Sequence, residues 1–215
     1  MIGVFGGTFD PIHFGHLRSA LEIRESLGLK EIRFIPCRIP PHRDEPLADS
    51  MQRLAMVRAA LAGQPDMILD DREIKREGPS YMVDTLESLR SEITTEPLCL
   101  ILGMDAFMGL SSWHRWKDLL TLAHLVVMHR PGKSLHDVNS TEAAEVTTLL
   151  KNRQVKNVNA LQNKAAGSIF LHPISQLDIS ASKIRDMVKN GKNPRYLLPD
   201  VVLQMIKVQK IYKTG

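Results

Sequence analysis

The stretch with the most chemistry in it is Gly6-Gly7-Thr8-Phe9-Asp10-Pro11-Ile12-His13-Phe14-Gly15-His16. Two glycines that let an anion approach the main chain are followed, at the start of a helical pattern, by two imidazoles three residues apart. A glycine-rich turn feeding a helix N-terminus points backbone N–H groups at phosphate. Three readings of His13 and His16 compete: metal ligands, surface side chains, or hydrogen-bond donors to a phosphate at the helix end. Asp10 is the sole nearby acidic partner, so a zinc site is the poorest of the three. Together with the glycines, phosphate contact is the best. The spacing departs from the GxGxxG fingerprint, and no Lys-Ser/Thr pair follows as in a P-loop.

These residues need elements to hold them. Short apolar runs, IGVF, EIRFIP, MILDD, LCLIL, HLVVMH and SIFLH, alternate with helical patterns along the chain. That is a βαβ rhythm, and runs apolar on successive residues suit strands covered on both faces. The expected fold class is therefore α/β, with a doubly wound parallel sheet, helices on both faces and a small helical C-terminal part. Residues 1–215 are read as a single unit, with a core over about 1–175 and a helical part over about 176–215.

Helix ends are legible too. Leu17, Ala20, Leu21 and Leu27 form a stripe closed by Gly28, and Asp49 with Gln52 reads as a capping box ahead of Leu54, Val57 and Leu61. Ser80 is expected to cap a helix burying Val83, Leu86 and Leu89, and Ser180 one that ends at Gly191. The polar stretch 132–167 reads as a helical excursion before the last strand. The glycine turn then falls beyond the carboxyl end of the first strand, where ligands sit in such sheets.

At this point the sequence resembles the HxGH nucleotidyltransferases, Rossmann-like enzymes that transfer a nucleotidyl group from a triphosphate. The resemblance strengthens at Ile179-Ser180-Ala181-Ser182-Lys183-Ile184-Arg185, similar to the family's second signature, ISxTxxR, with Ser182 in the threonine position. Between the two, Pro40-Pro41-His42-Arg43, Ser80 through Leu86, Leu102-Gly103-Met104-Asp105, Trp113 and His124 through Gly132 resemble one branch, the bacterial nicotinate mononucleotide adenylyltransferases. The likeness runs from residue 2 to the LLPD at 197–200.

The resemblance implies adenylyl transfer from ATP to nicotinate mononucleotide, giving nicotinate adenine dinucleotide and pyrophosphate, with Mg²⁺ accompanying ATP. It implies that His13 and His16 contact the ATP phosphates, His16 stabilising charge on the α-phosphate, and that Arg185 makes paired hydrogen bonds to the β- and γ-phosphates. Gly6, Gly7, Thr8, Phe9, Gly15, Arg43, Gly103, Asp105, Ile179, Ser180 and Ser182 would complete the ATP site. His42, Tyr81, Met82, Trp113 and His114 would face the acceptor. Taken as residues alone, Arg185 also reads as a surface cation, Asp105 as a helix cap, Arg43 as a loop charge and Trp113 as a packing aromatic. Met82 stands where the branch has threonine. If a main-chain N–H holds the nicotinate carboxylate, recognition survives that change; if the hydroxyl held it, affinity falls.

Composition bounds the alternatives. With 215 residues, 43% hydrophobic and 24% charged, the chain is of ordinary globular type. The longest apolar stretches fall short of the roughly 20 residues of a membrane span. Cys37 and Cys99 form no disulfide or metal-knuckle pattern, and Met1 leads straight into a strand-like run, so a cytoplasmic protein without a signal sequence is expected. The net charge is +4, and residues 183–215 carry eight Lys or Arg against Asp186 and Asp200. That basic end suits solvated helix faces, a phosphorylated substrate or nucleic acid. Aromatic residues are only 5%, which argues against a base-stacking platform, so no nucleic-acid or membrane partner is expected. The competing readings are another HxGH transferase, such as a phosphopantetheine adenylyltransferase or a cytidylyltransferase, and a non-catalytic nucleotide or nucleic-acid binder. Whether copies of the chain form a homo-oligomer is left open by the sequence.

Overall fold

The computed structural model describes residues 1–41, 45–129, 141–175 and 177–213. Seven strands, β1 (Ile2–Gly7), β2 (Glu31–Pro36), β3 (Met67–Leu69), β4 (Leu98–Gly103), β5 (His124–His129), β6 (Gln154–Val155) and β7 (Ile169–Pro173), form one sheet in the order β3-β2-β1-β4-β5-β7-β6. Every strand pairing among the described residues is parallel. The six anticipated strands are all present. The two-residue β6 carried no apolar run to announce it; it pairs with Ile169 and Phe170 at the sheet edge.

The helices are α1 (Phe14–Leu27), α2 (Ser50–Leu61), α3 (Arg72–Lys75), α4 (Met82–Glu92), α5 (Met104–Met108), α6 (Leu119–Leu122), α7 (Thr141–Arg153), α8 (Asn159–Gln162), α9 (Ala181–Lys189) and α10 (Asp200–Val208). Alternate residues of each strand serve opposite layers, as a period of two requires. Cys99 and Ile101 join Phe5, Ile32 and Phe34 in a core with α1, α2, α9 and α10. Leu98, Leu100 and Leu102 join Ile2, Val4 and Leu125 in a second core with α4, α5 and α7. The parallel sheet is thus buried on both sides, which is why its strands read as unbroken apolar runs.

Gly28 closes α1 in the left-handed conformation, φ 63°, while Leu29 N–H reaches back to Arg24 O at 2.9 Å. Asp49 and Gln52 form the reciprocal capping box that starts α2. Ser180 caps α9 by accepting from Lys183 N–H. Ser80 does not cap α4: Tyr81 holds that position, and Ser80 Oγ instead accepts from Arg38 N–H at 2.9 Å, drawn toward the loop that leaves β2. Among the described residues no helix is long and apolar enough to cross a membrane.

Strand order reverses between β1 and β4, since β2 and β3 lie to one side and β5 to the other. In open α/β sheets ligands occupy the crevice at that reversal, outside the carboxyl ends of the strands. The ends concerned are Gly6-Gly7 and Leu102-Gly103.

Candidate active site

A cleft of about 1150 Å³ opens at this point. Its floor is Gly6, Gly7 and Leu102-Gly103, and its walls come from the turn after β1, the starts of α4, α5 and α9, and the segment around Trp113. The turn after β1 is shaped by Phe9, a non-glycine residue at φ 50° whose buried ring packs edge-on against Phe5 and His16. His13 precedes α1 with extended backbone, and its N–H donates to His16 Nδ1 at 3.3 Å. A neutral His16 that accepts at Nδ1 carries its hydrogen on Nε2, as a donor. The two imidazoles stack with centroids 3.7 Å apart. Gly15 makes room for this, because a Cβ there would lie 2.9 Å from the His13 ring.

His16 lines the cleft; His13 does not. Only 5% of His13 is exposed, and burial pushes its pKa down from 6.5 to about 4. The inner imidazole therefore supports the outer one as a neutral ring. The tight turn stacks His13 behind His16, so that of the two imidazoles His16 is the one on the cleft surface.

The second signature lines the same cleft and packs directly against the turn that carries the first. Arg185 Nη1 donates to the Asp10 carbonyl oxygen at 2.7 Å, and Nη2 lies 3.3 Å from Ser182 Oγ. Ser180, Ala181 and Ser182, at the start of α9, line the cleft with Arg185. A helix N-terminus, a guanidinium and an imidazole thus line one space, the donor set a polyphosphate requires.

Tyr81, Met82, Trp113 and His114 also line the cleft. Tyr81 and His114 face each other with centroids 4.3 Å apart. Met82 is the first residue of α4, where main-chain N–H groups lack helical partners, and its Cε lies over Gly6. These residues offer aromatic faces and N–H donors to a flat, anionic group.

Of the expected site residues, Gly6, Gly7, Thr8, Phe9, His16, Gly103, Asp105, Ser180, Ser182, Arg185, Tyr81, Met82, Trp113 and His114 line this cleft. Asp105 sits in the first turn of α5, after Gly103 at the cap position, with its side chain exposed. His13, Gly15 and Ile179 lie behind the wall; the Ile179 carbonyl would be 3.4 Å from a Cβ on Gly15. His42 and Arg43 lie outside the described residues.

Two supporting groups, Arg53 and Glu73, lie outside the motifs, and a third, Asp10, lies within the first signature but has partners its position does not announce. Arg53, 1% exposed, donates to the carbonyl oxygens of Ala48, Thr8, Cys37 and Arg38, binding the turn after β1 to the loop after β2. Its signal was a cation in step with Met56, Val57 and Ala60 on the inner face of α2. Glu73 lines the cleft, accepts from Thr85 Oγ at 2.6 Å, and has its pKa raised by burial. Asp10 accepts from Leu47 and Ala48 N–H groups and from the Tyr212 hydroxyl. No local pattern marks contacts between residues so far apart in the chain.

The family model described as Cytidylyltransferase-like matches residues 4–187. The chain is 48% identical, over 99% of its length and 99% of theirs, to a protein of Methylococcus capsulatus named "Probable nicotinate-nucleotide adenylyltransferase". It is equally 48% identical to one of the same name from Aeromonas hydrophila, covering 99% of this chain and 97% of that one. Its fold matches the Plasmodium falciparum nicotinic acid mononucleotide adenylyltransferase complexed with NaAD, with a TM-score of 0.73 at 17% identity, over 98% of this chain and 96% of that chain. A cleft at the strand-order reversal, closed by both signatures, and this full-length similarity lead to one conclusion: the chain belongs to the cytidylyltransferase-like family, among the relatives that carry the name nicotinate-nucleotide adenylyltransferase.

Proposed function

We propose that the protein transfers the adenylyl group of ATP to nicotinate mononucleotide, giving nicotinate adenine dinucleotide and pyrophosphate. The observation that carries this reading is that His16 and Arg185, from the two signatures, line one cleft together with Tyr81, Trp113, His114 and the start of α4. The similarity to full-length relatives of that name supports it.

In the reaction a phosphate oxygen of the mononucleotide attacks the α-phosphorus of ATP, a new P–O bond forms, and the bond to the pyrophosphate oxygen breaks. Both reactants are anions, so the protein's work is alignment and charge stabilisation. His16, held by the His13 main chain and by the rings of His13 and Phe9, donates from Nε2 to the α-phosphate as charge builds there. Arg185 and the first turn of α9 take the leaving pyrophosphate. Asp105, exposed at the end of β4, accepts from ribose hydroxyls. Gly6 and Gly7 let the nucleotide lie close to the main chain.

Mg²⁺ would be held chiefly by triphosphate oxygens and water, as is usual for this ion, and the protein would need to add few ligands of its own. Of the carboxylates that line the cleft, Asp10 is engaged by three donors and Glu73 is buried, so the exposed Glu45 or Asp105 would be the ones to meet that shell. The ion supplies neutralisation of phosphate charge.

At the acceptor end, Trp113 and the Tyr81–His114 pair flank the pyridine ring, and main-chain N–H groups at the start of α4 meet its carboxylate. A carboxylate only accepts hydrogen bonds, whereas a carboxamide would also turn a donor toward those N–H groups. The main chain at Met82 keeps this role without the threonine hydroxyl. Both cysteines are free and buried, which fits a reducing cytoplasm.

The test is pyrophosphate release from ATP or CTP with Mg²⁺ and nicotinate mononucleotide, nicotinamide mononucleotide or phosphopantetheine in turn. Turnover with ATP and the nicotinate form, well above the nicotinamide form, is expected. Activity confined to phosphopantetheine or to CTP overturns the assignment.

A further inference from the structure

We propose that Tyr212, in the last turn of the chain, is a positioning residue for the triphosphate end of the cleft: its hydroxyl holds the Asp10 carboxylate back from Arg185, keeping the guanidinium available to the nucleotide. This inference rests on the reading of Arg185 as a phosphate donor.

Arg185 already lies beside an acid. Its Nη1 is 2.7 Å from the Asp10 carbonyl oxygen and 3.8 Å from Asp10 Oδ2. Guanidinium and carboxylate favour a two-pronged pairing with N···O distances below 3 Å. That pairing is not made here, and the reason is visible in what else the carboxylate binds. Leu47 N–H donates to Oδ2 at 3.0 Å, Ala48 N–H to Oδ1 at 3.1 Å, and Tyr212 O–H to Oδ1 at 2.7 Å. The carboxylate is thus drawn toward the loop before α2 and the chain end, and Arg185 meets the carbonyl instead. A bidentate Asp10–Arg185 pair would occupy the N–H groups that a phosphate needs.

Tyr212 is the one side-chain donor among the three, and it arrives from 202 residues away. Its approach is costly in conformation: Lys210 at φ 53° and Tyr212 at φ 66° are both left-handed without being glycine. Residues persist there only when surrounding contacts over-determine them, and such outliers gather at functional sites. Ile211 and Tyr212 are buried in the core shared by α1, α2, α9 and α10. Burial beside the Asp10 carboxylate raises the phenol pKa, so the hydroxyl remains a donor wherever the protein is folded.

The experiment compares Tyr212→Phe, Arg185→Ala and the double variant by steady-state kinetics, varying ATP and the pyridine mononucleotide separately, with melting temperatures recorded. Tyr212→Phe is expected to raise KM for ATP about tenfold, the size of one hydrogen bond to a charged group, and to leave KM for the mononucleotide unchanged. The double variant is expected to be no worse than Arg185→Ala, because both act through the same guanidinium. If Arg185→Ala impairs use of ATP while Tyr212→Phe leaves KM for ATP unchanged, or raises both KM values in step with a lower melting temperature, the positioning role of Tyr212 is wrong and Arg185 keeps its own. If Arg185→Ala leaves ATP kinetics intact, the phosphate role of Arg185 fails and this inference with it.

Discussion

The ring of His13 lies beneath that of His16, centroids 3.7 Å apart and planes 23° from parallel, and only the outer ring reaches the cleft. Two histidines that look equivalent in sequence therefore have different tasks. His16→Ala is expected to lower kcat by about 10²- to 10³-fold, the usual cost of one preorganised donor to a charge-bearing oxygen, with a smaller fall in melting temperature than His13→Ala. His13→Ala is expected to lower the melting temperature as well as kcat. Equal kinetic losses with equal stability would show that the two rings are interchangeable.

The buried His13 also predicts a pH dependence. Its pKa is about 4 in the folded protein and 6.5 when unfolded, so between these values the unfolded chain binds the extra proton. Stability must then fall as pH is lowered through that window and be fully retained above it. His13 alone contributes a loss of about 3 kcal/mol on going from neutral pH to about pH 4. His124 and His172, also lowered by burial, add in the same direction. Urea unfolding at several pH values should give a shallower profile for His13→Asn than for the parent; parallel profiles would count against a neutral inner ring.

Gly6 sits directly under Met82: a Cβ on Gly6 would lie 2.4 Å from Met82 Cε. The obstructing atom ends a flexible side chain, so Gly6→Ala is expected to displace Met82 at a cost of about 1 kcal/mol or less, since methionine adapts readily. The displaced methyl crowds the acceptor end of the cleft. KM for the pyridine mononucleotide should rise several-fold, by order of magnitude about 1 kcal/mol of binding, and Gly6→Ala/Met82→Ala should recover most of it. A rise confined to KM for ATP would show that Gly6 serves the triphosphate alone.

Arg53 holds four carbonyl oxygens from three segments around the site. Arg53→Met leaves those carbonyls without their donor and should destabilise the protein by about 3 kcal/mol or more. Lysine keeps the charge but lacks the planar fork, so Arg53→Lys should recover only part of the loss. Chemical denaturation measures both; a methionine variant within about 1 kcal/mol of the parent would mean the carbonyls find other donors.

The βαβ order, the buried character of the strands, and the ends of α1, α2 and α9 could be read from the chain because each depends on neighbours within a turn or a strand. Gly28, Asp49 with Gln52, and Ser180 do locally what their residue types favour. Ser80 departs from the capping its residue type favours because a hydroxyl takes whichever N–H comes nearest, here that of Arg38, 42 residues away in sequence. The two signatures could likewise be recognised, but not their division of labour. Which imidazole faces the cleft was settled by a stacking that Gly15 permits, and the aim of Arg185 by a carbonyl 175 residues distant. Residue type and short spacing determine which groups are able to act. The packing of the sheet's two layers decides which of them are brought within 3 Å of one another, because that distance is set by chain segments whose separation in sequence carries no local signal.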